Sequence, residues 1–383
     1  MNNFGRTLAY IFGFILSSSY YPALGQEKET WITKPQAQWP LISMINEVWF
    51  QNGERYVHPS FDYVATGFLI QTGTDTLAVT AKHALWAAKT KAMKSVDFGG
   101  ALQKWLMHPK NNLADSVLID YLLNADSTEI LSGRQSTITQ RDWLVFKTKY
   151  HSPAIQPLKP RYTLAKPGEK VYIFACPYQE KNCVIYSGHV LESKGNRLII
   201  TSDTSQKVSG SSGSPIVDEN GYLLGILGGS SVNNKTGEPA LYGTTTHYLQ
   251  KVLRQTRPLN VPLISIGETL LPIIDKQGID QAVRYYRTLY KQDQSHFIYT
   301  FDSQELNSLA DRLVREKKLN EAVQIYLLSL SEFSWSSGTY YSLGNTYALM
   351  GKTQLARQAY TRSIQLSPDN KEAKQALDKL SNQ

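Results

Sequence analysis

The hydrophobic pattern of this chain changes period once, near residue 260, and that change excludes a single uniform fold. From about 40 to 256 the apolar residues come in short or alternating runs. These are Leu41 to Phe50, Tyr63 to Thr72, Thr76 to Thr80, Asp142 to Lys147, Lys170 to Ala175, Cys183 to Leu191, Arg197 to Thr201, Ser214 to Val217 and Tyr222 to Leu227. Gly, Asn, Asp and Pro separate them, so the pattern predicts many short strands in a sandwich or barrel. From about 263 the spacing becomes helical and a 34-residue repeat emerges: Ala322 and Tyr326 return as Ala356 and Tyr360, and Leu309-Ala310 and Leu313 as Leu343-Gly344 and Tyr347. Ala282 and Tyr286 lie 40 residues before their counterparts, so six extra residues interrupt the phase. Small residues let paired helices approach, aromatics fill the grooves, and Pro368 ends the last helix of the repeat. The tyrosines and leucines of this pattern read as core, not as a cofactor site.

A further segment stands before both regions. It holds Arg6, an apolar run from Leu8 to Leu16 and then Ala23-Leu24-Gly25. That is the anatomy of a secretory signal peptide cut before Gln26, with an uncleaved anchor as the alternative. The run is short for a membrane span, and no Cys follows it to take a lipid anchor. The expected organisation is a signal at 1–25, a β-rich domain at 40–256, a linker at 257–262 and a helical domain at 263–383. The mature protein is expected to be soluble and exported, periplasmic or secreted. Its net charge of +8 is modest for 383 residues, and the scattered Lys and Arg argue against a nucleic-acid surface. Cys176 and Cys183 flank a short loop; they form either a local disulfide, as suits an exported chain, or two free thiols. Without a suitable His cluster they do not make a zinc site, and no metal or cofactor is expected.

Within the β-rich part, Gly210-Ser211-Ser212-Gly213-Ser214-Pro215 carries the chemistry. A hydroxyl attacking an acyl carbonyl needs an exposed Oγ and two backbone N–H groups aimed where the oxyanion forms. Small residues permit that approach, although a Gly/Ser-rich turn before a strand is also ordinary loop chemistry. The serine needs a base, and the base needs an orienting carboxylate. Upstream, Leu77-Ala78-Val79-Thr80-Ala81-Lys82-His83 ends a predicted hairpin that begins at Thr66-Gly67-Phe68, and Arg141-Asp142-Trp143-Leu144-Val145-Phe146 puts an acid at the head of an apolar strand.

These three motifs, in the order His, Asp, Ser, resemble the chymotrypsin/trypsin-like serine peptidases. The resemblance implies two six-stranded β-barrels with the active site in the cleft between them, closed by a helix near Thr246 to Arg254. By motif position it makes His83 the general base, Asp142 its orienting partner and Ser212 the nucleophile, with the Gly210 and Ser212 amides as the oxyanion hole. It implies a substrate strand along Leu227, Gly228, Gly229 and Ser230, with glycines leaving room for the first side chain, and Gln206 on the pocket floor. The unit Tyr340-x-x-Leu343-Gly344-x-x-Tyr347, followed by Ala356, Tyr360 and Pro368, resembles the tetratricopeptide repeat, which implies a protein partner. The fold class is thus a mostly-β double barrel followed by an all-α repeat domain.

The chain departs from the peptidase pattern in places. Ser211 stands where pancreatic-type members carry an Asp that receives a new N-terminal amine, so that mode of activation is not expected. Lys82 replaces a small residue; pointing to solvent it does little, and leaning toward the imidazole it lowers that group's pKa. Residues 84–135 are least like the family and are left without assigned elements. His58, His108, His151, His189, His247 and His296 are given no role. An α/β-hydrolase would need its His after the Ser and a glycine where Ser214 stands. A peptidase-like binding protein, with the repeats as the working surface, is the second alternative.

Overall fold

The computed structural model describes residues 27–55, 61, 63–133, 136–202, 208–233 and 235–381. The expected signal at 1–25, His58 and Gln206 lie outside the described residues. The first eight strands are β1 (Met44–Phe50), β2 (Val64–Thr72), β3 (Asp75–Ala81), β4 (Ser95–Val96), β5 (Leu102–His108), β6 (Val117–Leu122), β7 (Asp126–Ile130) and β8 (Trp143–His151). Six of them close a barrel in the order β1-β2-β3-β8-β6-β5, and β4 pairs with β7 beside it. Next come β9 (Lys170–Ala175), β10 (Val184–Lys194), β11 (Arg197–Thr201), β12 (Pro215–Asp218), β13 (Leu223–Val232) and β14 (Pro239–Thr245). They close a second barrel in the order β10-β11-β14-β13-β12-β9. Both barrels are antiparallel throughout.

The period of two along the strands decides where each barrel looks. On β2, Leu69 points into the first barrel, while Phe68 and Ile70 point out of it toward the second. On β8, Leu144 and Phe146 point in, and Trp143 and Val145 point out. The outward set meets Phe174, Val217, Leu223 and Ile226 of the second barrel. Helix α1 (His247–Leu253) adds Tyr248, Leu249 and Val252 to the same layer. Strands buried on both faces read as continuous apolar runs, which is why they were easy to find. Each such Leu, Ile or Val contributes about 1.5–3 kcal/mol when fully buried.

Two parts of the first region differ from expectation. The unassigned stretch 84–135 supplies β5 and β6, two of the six barrel strands. Bulges break their alternation: Gln103 is an extra residue opposite Trp49 and Phe50 of β1, and Asp120 an extra residue opposite Lys147 and Thr148 of β8. The packed region also begins before residue 40: Trp31 is buried edge-on against Phe174 at 6.0 Å, and Trp39 lies edge-on to Tyr172 at 4.9 Å. Cys176 and Cys183 are joined as a disulfide.

The helical region comprises α2 (Ile266–Gln277), α3 (Ile279–Tyr290), α4 (Ser303–Arg315), α5 (Leu319–Glu332), α6 (Ser337–Leu349), α7 (Thr353–Leu366) and α8 (Lys371–Ser381). None of the described helices is long and apolar enough to cross a membrane. Side chains of Ser265, Asp302 and Ser336 cap α2, α4 and α6 by accepting from the amide three residues on. Gly344 permits the close pairing of α6 and α7, since a Cβ there would meet the Tyr360 ring at 2.5 Å. The interruption of the repeat phase falls between α3 and α4. It holds a 3₁₀ turn, Asp293–Phe297, and the strand β16 (Tyr299–Thr300), which pairs in parallel with β15 (Ile264–Ser265). This insertion and the end of α3 contact the second barrel and α1. Phe297 stacks on His247 at 3.7 Å, Lys194 lies 4.0 Å from the Tyr290 ring centroid, and the β10–β11 turn needs Gly195 because a Cβ would strike His296.

The repeat also specifies a polar pair. Tyr326 donates to Asp311 and Tyr360 donates to Asn345 at 2.7 Å, each partner 15 residues upstream. The same offset from Tyr286 lands on Leu271, and the buried Tyr286 hydroxyl has no partner among the described residues. Tyr286→Phe is therefore expected to leave the thermal midpoint unchanged or higher, whereas Tyr326→Phe costs about 1–2 kcal/mol. Equal destabilisation in paired thermal melts would contradict this account.

Candidate active site

The site is built where a turn of the second barrel meets the β2–β3 hairpin of the first. Gly213, at φ +82°, touches the first barrel so closely that a Cβ would meet the Ala81 amide at 2.7 Å and collide with the Thr66 carbonyl. Thr66 fastens the turn: its amide donates to the Ser212 carbonyl at 2.7 Å, and its hydroxyl donates to the Gly210 carbonyl at 3.1 Å. Thr66 in turn follows Ala65, held at φ +56° with its carbonyl accepting from Asn46 Nδ2 at 3.2 Å. Thr80 closes the pair by donating to the Thr66 carbonyl at 2.7 Å. The Thr of the Thr-Ala-x-His motif thus braces the hairpin.

His83 lies in a 3₁₀ turn, Lys82–Trp86, directly after β3. Asp142 immediately precedes β8, the neighbour of β3, so the pairing Ala81↔Trp143 brings the two side chains together. The Asp142 carboxylate accepts from the His83 amide at 2.7 Å and meets Nδ1 at 2.5 Å. On the other side of the ring, Nε2 lies 2.8 Å from Ser212 Oγ. The three predicted side chains therefore form one continuous chain of contacts. Asp142 is fully buried, while the His83 side chain keeps 15% exposure on the cleft. Burial pushes the imidazole pKa down, but the Asp142 charge and hydrogen bond outweigh it, leaving the pKa above the ordinary value.

The two predicted oxyanion amides are oriented by anchoring the carbonyls on their own peptides. The Ser209 carbonyl accepts from the Tyr178 amide at 2.8 Å. The Ser211 carbonyl accepts from the Ser214 amide at 3.0 Å and the Ser214 hydroxyl at 2.6 Å. In a trans peptide the N–H opposes the C=O, so the Gly210 and Ser212 N–H groups point the other way. Among the described residues neither has an acceptor. Gly210 takes φ +90°, and a Cβ there would meet the Tyr178 ring at 2.8 Å.

The predicted substrate edge needs two corrections. Leu227 cannot take a substrate: its amide donates to Ser214, its carbonyl accepts from Gly213, both at 2.8 Å, and its side chain is buried in the second barrel. The open edge starts at Gly228, because β12 pairs with β13 only as far as Ile226. Gly229 and Ser230 pair with β14 on the other side. The space above Gly228 and Gly229 is not empty either. The Tyr242 ring lies across them, so a Cβ at Gly228 would collide with it and one at Gly229 would meet it at 3.2 Å.

Lys82 takes neither orientation expected of it. It is fully buried and pairs with Glu129 at 2.8 Å, donating also to the Tyr248 hydroxyl at 3.2 Å and Asn260 Oδ1 at 3.3 Å. Thr137 completes the carboxylate shell at 2.6 Å, and Asn260 Nδ2 donates to Asp126 at 2.7 Å. The residue before His83 thus ties the first barrel to α1 and to the expected linker. Glu129, Thr137 and Asn260 come from loops and a short strand whose spacing carries no signal in the sequence. Of the unassigned histidines, His108 Nδ1 meets the Pro109 carbonyl and His296 Nε2 the Tyr290 carbonyl, both at 2.8 Å. Among the described residues no group of three or more His, Cys, Asp or Glu is placed to hold a metal.

Two family models agree with this architecture. Residues 65–226 match the family model for the trypsin-like peptidase domain, and residues 338–370 match that for the tetratricopeptide repeat. No curated protein matches the chain in sequence. Among solved structures, a Glu endopeptidase is 17% identical, covering 56% of this chain and 89% of its own, with a TM-score of 0.39. Mouse neuropsin, a serine protease, is 14% identical over 55% of this chain and 93% of its own, with a TM-score of 0.37. The Rv3671c protease of M. tuberculosis in its active form is 15% identical over 62% and 91%, with a TM-score of 0.37.

Removing Lys82 leaves the Glu129 carboxylate buried without its cation. Lys82→Met is expected to cost about 3–5 kcal/mol, and the double change Lys82→Met with Glu129→Leu to recover most of it. Denaturant melts of the three proteins test this, and a single variant as stable as wild type would refute it.

Proposed function

The chain carries a trypsin-like peptidase domain followed by a tetratricopeptide-repeat region, and from that premise we propose that it is an exported serine endopeptidase. One observation carries the reading: Ser212 Oγ, His83 and Asp142 are in hydrogen-bond contact in the order that acyl transfer requires. Ser212 Oγ attacks a peptide carbonyl as His83 Nε2 takes its proton. Asp142 fixes the imidazole with Nδ1 protonated and stabilises the imidazolium. The oxyanion accepts from the Gly210 and Ser212 amides. His83 then protonates the leaving amine, and water repeats the sequence on the acyl-enzyme. Substrate enters as an extended strand on the free edge from Gly228 to Ser230. The repeats serve a protein partner. Export is supported by the N-terminal apolar run and by the disulfide, and N-terminal sequencing of the mature protein should begin at Gln26.

A fluorophosphonate probe is expected to label Ser212 in the native protein and to fail on Ser212→Ala and His83→Ala. Absence of labelling on folded wild type would favour the binding-protein reading instead. Asp142→Asn should lower kcat/KM by about 10³–10⁴.

The pH profile follows from the raised pKa of His83. A base must be neutral, so kcat/KM should climb with pH through a midpoint above the ordinary histidine value of about 6.5. In Asp142→Asn the raising charge is gone and the midpoint should move down. A wild-type acid limb below that ordinary value would contradict the role given to Asp142.

A further inference from the structure

Asn260 lies in the segment expected to be a plain linker, yet its side-chain amide is engaged at both ends. Resting on the peptidase reading above, we propose that Asn260 is a positioning residue of the active site. Through Lys82 and Tyr248 it holds the turn that carries His83 and the strand that follows Asp142. The segment leading into the helices is then part of the peptidase.

Asn260 Oδ1 accepts from the Tyr248 hydroxyl at 2.9 Å and from Lys82 Nζ at 3.3 Å, while Nδ2 donates to Asp126 at 2.7 Å. An ammonium only donates and a carboxylate only accepts, so these neighbours fix which way the amide faces. On one side of it Leu259 is buried in the apolar layer between the barrels. On the other, Ile264 pairs with Tyr299 of β16 in the helical region.

Two routes lead from Asn260 to the reacting pair. The first is Lys82, which is fully buried with its ammonium facing Glu129, Tyr248 and Asn260. Those three acceptors match its three N–H groups. Losing the Asn260 oxygen leaves a charged donor unmade where no water reaches it, which is costlier than losing a neutral bond. In a close-packed interior the shift that recovers a partner is passed to the backbone beside His83. That backbone is tied directly to the acid: the Lys82 amide donates to the Asp142 carbonyl at 3.1 Å and the His83 amide to the Asp142 carboxylate at 2.7 Å.

The second route is Tyr248, whose single proton goes to Asn260 while its oxygen accepts from Asn124 Nδ2 at 3.3 Å. The same Asn124 amide donates to the Trp143 carbonyl at 2.8 Å, and its oxygen accepts from the Val145 amide at 2.9 Å. Without the Asn260 acceptor the hydroxyl must turn, and its contact with Asn124 changes. The residues adjoining His83 and Asp142 thus both lean on one side chain. A displacement of about 1 Å among reacting groups costs about 10²-fold in rate.

The test uses the full chain. Asn260→Ala is expected to lower kcat by about 10–100-fold with KM within about twofold of wild type. Asp126→Asn removes the anchor of Asn260 and should lower kcat in the same sense. Combining Asp126→Asn with Asn260→Asp exchanges the two groups without changing shape or charge. The new amide keeps its oxygen toward the Thr128 amide and hydroxyl and donates to the new carboxylate, whose other oxygen faces Lys82 and Tyr248. This exchange should restore kcat, and it decides the matter even if Asn260→Ala fails to fold. Tyr326→Phe, which weakens the helical core, should leave kcat unchanged, so loss of stability alone is not what is read. Ring-nitrogen NMR shifts of His83 report its setting without turnover: Asn260→Ala should move them and the exchange return them. Unchanged kcat and shifts in Asn260→Ala, or no recovery in a folded exchange variant, overturn the proposal. Failure of wild type to label with the fluorophosphonate would sink the peptidase reading instead, and the His83 shifts would still decide the role of Asn260.

Discussion

One backbone contact between the barrels organises the candidate site. Gly213 fits against the Thr66 carbonyl and the Ala81 amide only because it has no side chain. That approach lets Thr66 hold the Ser212 and Gly210 carbonyls, while Tyr178 and Ser214 hold those of Ser209 and Ser211. With these four carbonyls fixed, the Gly210 and Ser212 amides are held pointing away from them. A site preorganised in this way needs no rearrangement when negative charge develops, which is where such donors are most effective. The apolar layer of Phe68, Val79, Trp143, Val217 and Leu223 keeps the barrels at that separation.

Around His83 the structure uses charge in two different ways. Asp142 faces the imidazole and raises its proton affinity. Lys82, one residue earlier, turns its charge away into a buried pair with Glu129, where Tyr248 and Asn260 complete its hydrogen bonds. A buried ion pair is seldom a large net gain in stability over apolar packing, but it tolerates few alternative arrangements. Here it fixes the turn carrying His83 relative to α1 and to the segment that leads into the helices.

The helical region is joined to the second barrel by the residues that break its repeat. Regular repeats contact their neighbours and little else. The extra residues between α3 and α4 instead place His296 against the turn at Gly195 and Phe297 against the side chain of His247. A second contact, from the Ser334 hydroxyl to the Lys235 carbonyl at 3.0 Å, reaches the tip of the β13–β14 hairpin. The strand whose edge is open from Gly228 to Ser230 is thus held at its far end by the helical region.

Much of this was legible in the sequence. Strands buried on both faces gave unbroken apolar runs, and the helices gave a repeat whose Ala, Gly and Tyr positions are fixed by close packing. His83, Asp142 and Ser212 were marked by three motifs that together resemble those of the trypsin-like serine peptidases. What escaped was set by partners distant in the chain. Strands β5 and β6 hide their period because a bulge, at Gln103 and at Asp120, breaks the alternation in each. The direction of Lys82 depended on Glu129 and Asn260, and the use of Gly228 on Tyr242. The sequence by itself determined the two fold types, because those rest on periodicity, and its resemblance to the trypsin-like serine peptidases singled out His83, Asp142 and Ser212. Only the tertiary structure decided which strand edge is open, where the buried lysine goes and which residues line the cavity between the second barrel and the helical region, because those depend on which surfaces meet.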